Sequence, residues 1–151
     1  MPRVRNAKLT LPRDGANVII NITYDVVFSG FERHLARLGL AFQEEIALIG
    51  VDPPGGTTGF QVLTTRRSIP VSDGVGELSV HRVFSTPSTR NSLDEDPSPS
   101  PFLGPDFDAD EYRGRIRILA IGFPPAVTPD AFTDQQVLGG LVAQPAAATN
   151  A

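Results

Sequence analysis

Residues 106–118 read DFDADEYRGRIRI, and two interpretations compete for them. Asp106, Asp108 and Asp110 have the alternating spacing of a calcium-binding loop. Such a loop needs glycine at its sixth position for the sharp turn and glutamate at its twelfth as a bidentate ligand. Those positions hold Glu111 and Arg117, and a guanidinium at the twelfth would repel the ion. From Tyr112 onward the residues alternate: Tyr112, Gly114, Ile116, Ile118 and Ala120 fall on one face, Arg113, Arg115 and Arg117 on the other. That period of two is a half-buried β-strand.

Working outward, NVIINITYDVVFS (17–29) is the strongest element, with Val18, Ile20, Ile22, Tyr24, Val26 and Phe28 on one face. Before it, VRNAKLTL places Ala7, Leu9 and Leu11 together, and PRDGA supplies a turn into the next strand. SGFERHLARLG (29–39) breaks the pattern. Ser29 and Glu32 have capping-box spacing, Phe31, Leu35 and Leu38 recur at helical intervals, and Gly39 can close the end. The spacing predicts a short helix over 30–38 whose Phe31, Leu35 and Leu38 close one end of the fold. LAFQEEIALIGVD (40–52) resumes extended structure with Leu40, Phe42, Ile46 and Leu48 inward. Glu44 shares their parity, so a bulge or a reversal of faces is expected there. Strands through FQVLTTRRSIPV and ELSVHRVFS follow, and a last one is expected in QQVLGGLV.

Together these give an all-β chain, a sandwich of about seven antiparallel strands with one short helix. Residues 1–142 form one domain interrupted by a long proline-rich and acidic loop at 85–111, and 143–151 read as a flexible tail. The stretch DADEYRG, with Asp108, Tyr112 and Gly114, resembles the entry to strand F of immunoglobulin-like sandwiches. There a tyrosine folds back onto upstream backbone and a small residue or cysteine follows two places later. The resemblance implies a buried Tyr112 and strand F pairing with strand C, whose outward residues include Gln43 and Glu45. It implies no activity. Gly114 stands in place of the cysteine, and the chain has no cysteine or tryptophan, so a disulfide-bonded antibody-type domain is excluded.

Charge is unevenly distributed. The chain carries 13 basic and 17 acidic residues, net −4, and twelve of the 13 bases are arginine. Seven carboxylates (Asp94, Glu95, Asp96, Asp106, Asp108, Asp110 and Glu111) lie within 94–111, leaving a surplus of three positive charges elsewhere. No basic stripe interleaved with aromatics points to nucleic acid. No apolar run marks a signal peptide or a membrane span, so a soluble protein without membrane insertion is expected.

Catalytic signatures are missing. His34 and His81 have no spacing that brings them together, PPGGTTG (53–59) lacks the lysine and helix of a phosphate loop, and NIT (21–23) is a glycosylation sequon placed mid-strand. A carboxylate pair for glycoside hydrolysis would need aromatic platforms that a chain with two tyrosines and no tryptophan does not offer.

The function expected is therefore a non-enzymatic structural or interaction module without a cofactor, a subunit of a homo- or hetero-assembly such as a filament, shell or appendage. Its interaction row is Arg113, Arg115 and Arg117, and its exposed edges are 4–11 and 60–71, with the tail after Val142 reaching a neighbour. The alternative is a calcium-dependent ligand-binding module, for example for carbohydrate, using Asp106, Asp108 and Asp110 within the acidic loop 94–111.

Overall fold

The structure, a computed structural model, describes residues 1–51, 59–89, 110–122 and 126–138. Strands β1 (Arg3–Thr10), β2 (Arg13–Asp14), β3 (Asn17–Phe28) and β6 (Leu78–Thr89) make one sheet. Strands β4 (Ala41–Val51), β5 (Gly59–Ile69), β7 (Asp110–Ile121), β8 (Ala126–Val127), β9 (Ala131–Phe132) and β10 (Gln136–Leu138) make the other. All pairings are antiparallel. The first sheet has β3 at its centre, with β1 and β2 along one side and β6 along the other. In the second, β4 and β7 are central, β5 forms one edge, and β8, β9 and β10 follow one another along the far side of β7. The two sheets enclose one core in a β-sandwich.

The period-two residues build that core. Val18, Ile20, Ile22, Tyr24, Val26 and Phe28 from β3 face Phe42, Ile46 and Leu48 from β4 and Tyr112, Ile116 and Ile118 from β7, all buried. Tyr112 is fully buried, as expected, while residues 90–109, whose backbone its hydroxyl was expected to meet, lie outside the described residues. At one pole Phe28 and Phe42 meet edge to face at 5.1 Å between ring centres, tying the sheets together.

Several expectations need correction. In β1 the alternation is interrupted: Arg5 pairs with Asp25 and Lys8 with Thr23, so Asn6 and Ala7 together oppose one residue of β3. Asn6 has a φ of 56°, the left-handed conformation that asparagine tolerates in such a bulge. Strand β6 runs through Pro87 to Thr89, past the point where the connection was expected to begin. Proline is tolerated there because, among the described residues, β6 pairs with β3 alone and has no ladder bonds on its other side. The last strand is three short pieces, of which only Gln136–Leu138 falls in the expected segment; residues 139–151 lie outside the described residues.

The helix α1 (Gly30–Arg37) has its predicted start. The Ser29 hydroxyl accepts from the Glu32 N–H at 3.1 Å, and the Glu32 carboxylate accepts from the Ser29 N–H at 2.7 Å. Its buried face is not the predicted one. Phe31 and Leu38 are each 69% exposed, and Glu32 and Arg33 point inward instead. The cause is the segment after β5. The Arg33 guanidinium donates to the carbonyls of Ser72 (3.1 Å), Asp73 (2.7 Å), Val75 (3.3 Å) and Gly76 (3.2 Å). No aliphatic side chain could satisfy those four acceptors, so the helix is rolled to present its arginine. Gly74 suits its position, since its φ of 151° is one that other residues rarely adopt and a Cβ there would run into the Arg33 guanidinium held by those carbonyls.

Candidate functional site

The outer face of the second sheet carries the arginine row. Cross-strand register places Arg117 opposite Glu45, Arg115 opposite Ala47 and Arg113 opposite Ile49. Strand β4 is therefore the partner expected for β7, with Gln43 and Glu45 outward. Glu45 sits among three guanidinium groups: Arg66 Nε at 2.9 Å, Arg117 Nη1 at 3.3 Å and Arg115 Nη2 at 3.9 Å. Arg117 also grips Asp130 with two parallel bonds, one from Nε and one from Nη2 at 3.1 Å. That fork raises the Arg117 guanidinium above its ordinary value and holds the Asp130 carboxyl below the usual carboxylate range. Arg115 donates to Gln61 at 3.2 Å. Beside the stems of Arg115 and Arg113, Ala47 and Ile49 are 0% and 2% exposed although they face outward, as aliphatic arginine chains permit.

Arg113 differs from its neighbours. It makes no ion pair with a described residue, and its Nε is buried without an acceptor. The face thus holds Arg66, Arg113, Arg115 and Arg117 against Glu45, Asp130 and, on the same parity of β7, Glu111, a local excess of one positive charge on a chain whose net charge is −4.

A second ionic cluster lies inside, and it explains Glu44. No bulge or reversal occurs at Glu44: the ladder of β4 with both neighbours is continuous through it, and the one register shift with β5 falls between Leu48 and Ile49. Glu44 keeps its inward parity and is completely buried. Its carboxylate accepts from Arg67 Nη2 of β5 at 3.0 Å and from Arg82 Nε of β6 at 2.7 and 3.0 Å. The two arginines then cross the seam between the sheets. Arg67 donates to the Val83 carbonyl of β6 at 2.9 Å, and Arg82 to the Ser68 carbonyl of β5 at 3.4 Å. Arg67 also lies over the Phe84 ring, 5.6 Å from its centre. The signal for this cluster was a carboxylate on the inward parity of a core strand. Its cations had to be sought on the inward parity of other strands.

Burial, followed by the neighbouring Glu44 carboxylate, raises the Tyr24 hydroxyl well above the ordinary phenol range. A group whose folded pKa is raised contributes full stability below its unfolded pKa and loses that contribution as pH rises above it. Above pH about 10, unfolding of the native chain should therefore become easier by about 1.4 kcal/mol per pH unit from this group. Denaturant unfolding between pH 8 and 11 checks this: Tyr24→Phe should show a shallower alkaline loss, and equal slopes would contradict the assignment.

The two histidines lie apart on the surface, His34 on α1 beside Arg37 (3.0 Å) and His81 on β6 against Asp25 (2.7 Å). Asp25, bonded first by Asn6 at 2.8 Å and then by His81, is held below the usual carboxylate range. Of the calcium candidates, Asp106 and Asp108 lie outside the described residues, and Asp110 opens β7 opposite Leu138. Among the described residues no three or more carboxylates, histidines or cysteines group as metal ligands, and no helix is long and apolar enough to cross a membrane. Neither a protein-family model nor a curated protein sequence matches the chain.

Proposed function

We propose that this chain is a non-enzymatic interaction module of immunoglobulin-like type, a subunit that assembles with further copies of itself through the arginine face of β7, β4 and β5. The strand order, β1/β2–β3–β6 in one sheet and β5–β4–β7–β10 in the other, supports the immunoglobulin-like reading, as does a buried tyrosine two residues before a buried glycine in β7. The observation that carries the functional reading is Arg113, a guanidinium without a carboxylate in a row whose other members have one. Guanidinium groups recognise carboxylates through paired donors, and complementary charge steers association. The chain itself supplies the complement, because seven of its 17 carboxylates lie within 94–111.

Arg113→Glu tests this and breaks none of the ion pairs of that face, with urea unfolding as the control for the cover its stem gives Ile49. Sedimentation at low salt should show self-association of the native chain and at least about tenfold weaker association of the variant, equivalent to about 1.4 kcal/mol. Unchanged association would remove the arginine face from the proposal.

A further inference from the structure

The two seams of the sandwich are built differently. Where β5 meets β6, Arg67 and Arg82 bond across from one sheet to the other and Glu44 anchors both. On the opposite side β1 lies against β9, and among the described residues no hydrogen bond or ion pair joins β1 to β8 or β9. A cleft of about 340 Å³ lies there instead, walled by Pro2, Val4, Pro129 and Ala131. Among the described residues β1 pairs with β3 alone, so the N–H and C=O groups on its other side carry no ladder bonds and can take a further strand.

The charges of this edge say what that strand is. Residues 1–13 hold Arg3, Arg5, Lys8 and Arg13 and no carboxylate. Arg3, Arg5 and Lys8 are exposed along β1, while Val4 between the two arginines is partly buried against the core. Arg3 bonds Glu77 at 2.9 Å. Asp25, the carboxylate opposite Arg5 in register, is held instead by Asn6 at 2.8 Å and His81 at 2.7 Å, so Arg5 and Lys8 have no acidic partner among the described residues. A second β1 brought alongside would set cation against cation, so this edge repels its own copy and favours an acidic strand. Side chains of an added strand alternate: those pointing outward meet the cations, and those pointing inward enter the cleft.

We propose that the free edge of β1 binds an extended segment of another protein in which acidic and apolar residues alternate, as an added strand beside Arg3–Arg5. Its carboxylates pair with Arg5 and are steered by Lys8, and its apolar residues fill the cleft between Val4 and Ala131. The bulge at Asn6 and Ala7 bends the edge beyond Arg5, so the straight contact is short and depends on charge. The surface belongs to the first sheet, apart from the arginine face of the second, and the inference does not rest on self-assembly.

Fluorescence anisotropy of a labelled, capped hexapeptide alternating valine and glutamate, titrated with the native full-length chain at low salt, tests it. Binding should saturate, and should weaken as salt rises. Arg5→Gln with Lys8→Gln should weaken it at least about tenfold, whereas Arg113→Glu should bind like the native chain. Arg5 and Lys8 are exposed, and urea unfolding checks that the fold is kept. Backbone pairing is read from two further peptides, one N-methylated at every valine and one at every glutamate. The N–H groups of alternate residues point to opposite sides of a strand, so one peptide should bind like the parent and the other at least about tenfold more weakly. Absence of saturable binding, equal behaviour of the two methylated peptides, or a loss in Arg113→Glu in place of the β1 variant would overturn the inference.

Discussion

Glu44→Ala should lower the unfolding free energy by about 3 to 5 kcal/mol, the cost of removing one partner from a buried ion pair. The carboxylate is completely buried and holds Arg67 and Arg82 at 3.0 and 2.7 Å. Without it, two guanidinium groups remain at the seam with no counter-charge, and the strands they join lose a common anchor. Replacing all three residues by leucine and methionine of similar volume should cost much less, since desolvation of the charges is removed along with their attraction. Equilibrium unfolding in urea measures both. A loss below about 1 kcal/mol for Glu44→Ala would mean that water already screens the cluster, as it does for exposed pairs.

Gly114→Ala should cost about 1 to 3 kcal/mol by overpacking. A Cβ on Gly114 would lie 2.9 Å from Thr133 Cγ2, closer than real contacts allow, and 3.2 Å from Ile22 Cδ1, tighter than most. Thr133 cannot simply move away, because its hydroxyl accepts from the Gly114 N–H at 2.8 Å and its own N–H donates to the Gly114 carbonyl at 2.9 Å. Adding Thr133→Ser keeps the hydroxyl and removes the methyl, so the double variant should recover part of the loss. Thermal unfolding of the single and double variants would show this coupling, and strictly additive losses would contradict the packing described.

Much of the architecture was legible in the sequence because its core strands alternate cleanly. Each of Val18, Ile20, Ile22, Tyr24, Val26 and Phe28 is buried, and the inward side of β7 follows the same rule. The cap formed by Ser29 and Glu32 was readable because it is local, three residues apart. The roll of α1 was not, since it depends on carbonyl groups at Ser72–Gly76 that lie about forty residues away in the chain and need the Arg33 donors. Apolar spacing alone pointed Phe31, Leu35 and Leu38 inward.

Glu44 was misread for a related reason. Its parity was correct, but its partners come from β5 and β6, and a carboxylate without visible cations suggested a local irregularity instead. The arginine row, by contrast, was legible down to its cross-strand partner, because strand parity and the pairing of β7 with β4 place Arg117 beside Glu45. What one sequence could not reveal is that Arg113 stands apart from the pairs its neighbours make.

The central claim is that the chain assembles with copies of itself, and sedimentation velocity of the unmodified full-length protein over a wide concentration range, at low and high salt, tests it most directly. The account predicts concentration-dependent growth that weakens as salt rises, because contacts made by exposed charges are screened. A single monomeric species at every concentration and at both salt levels would contradict it.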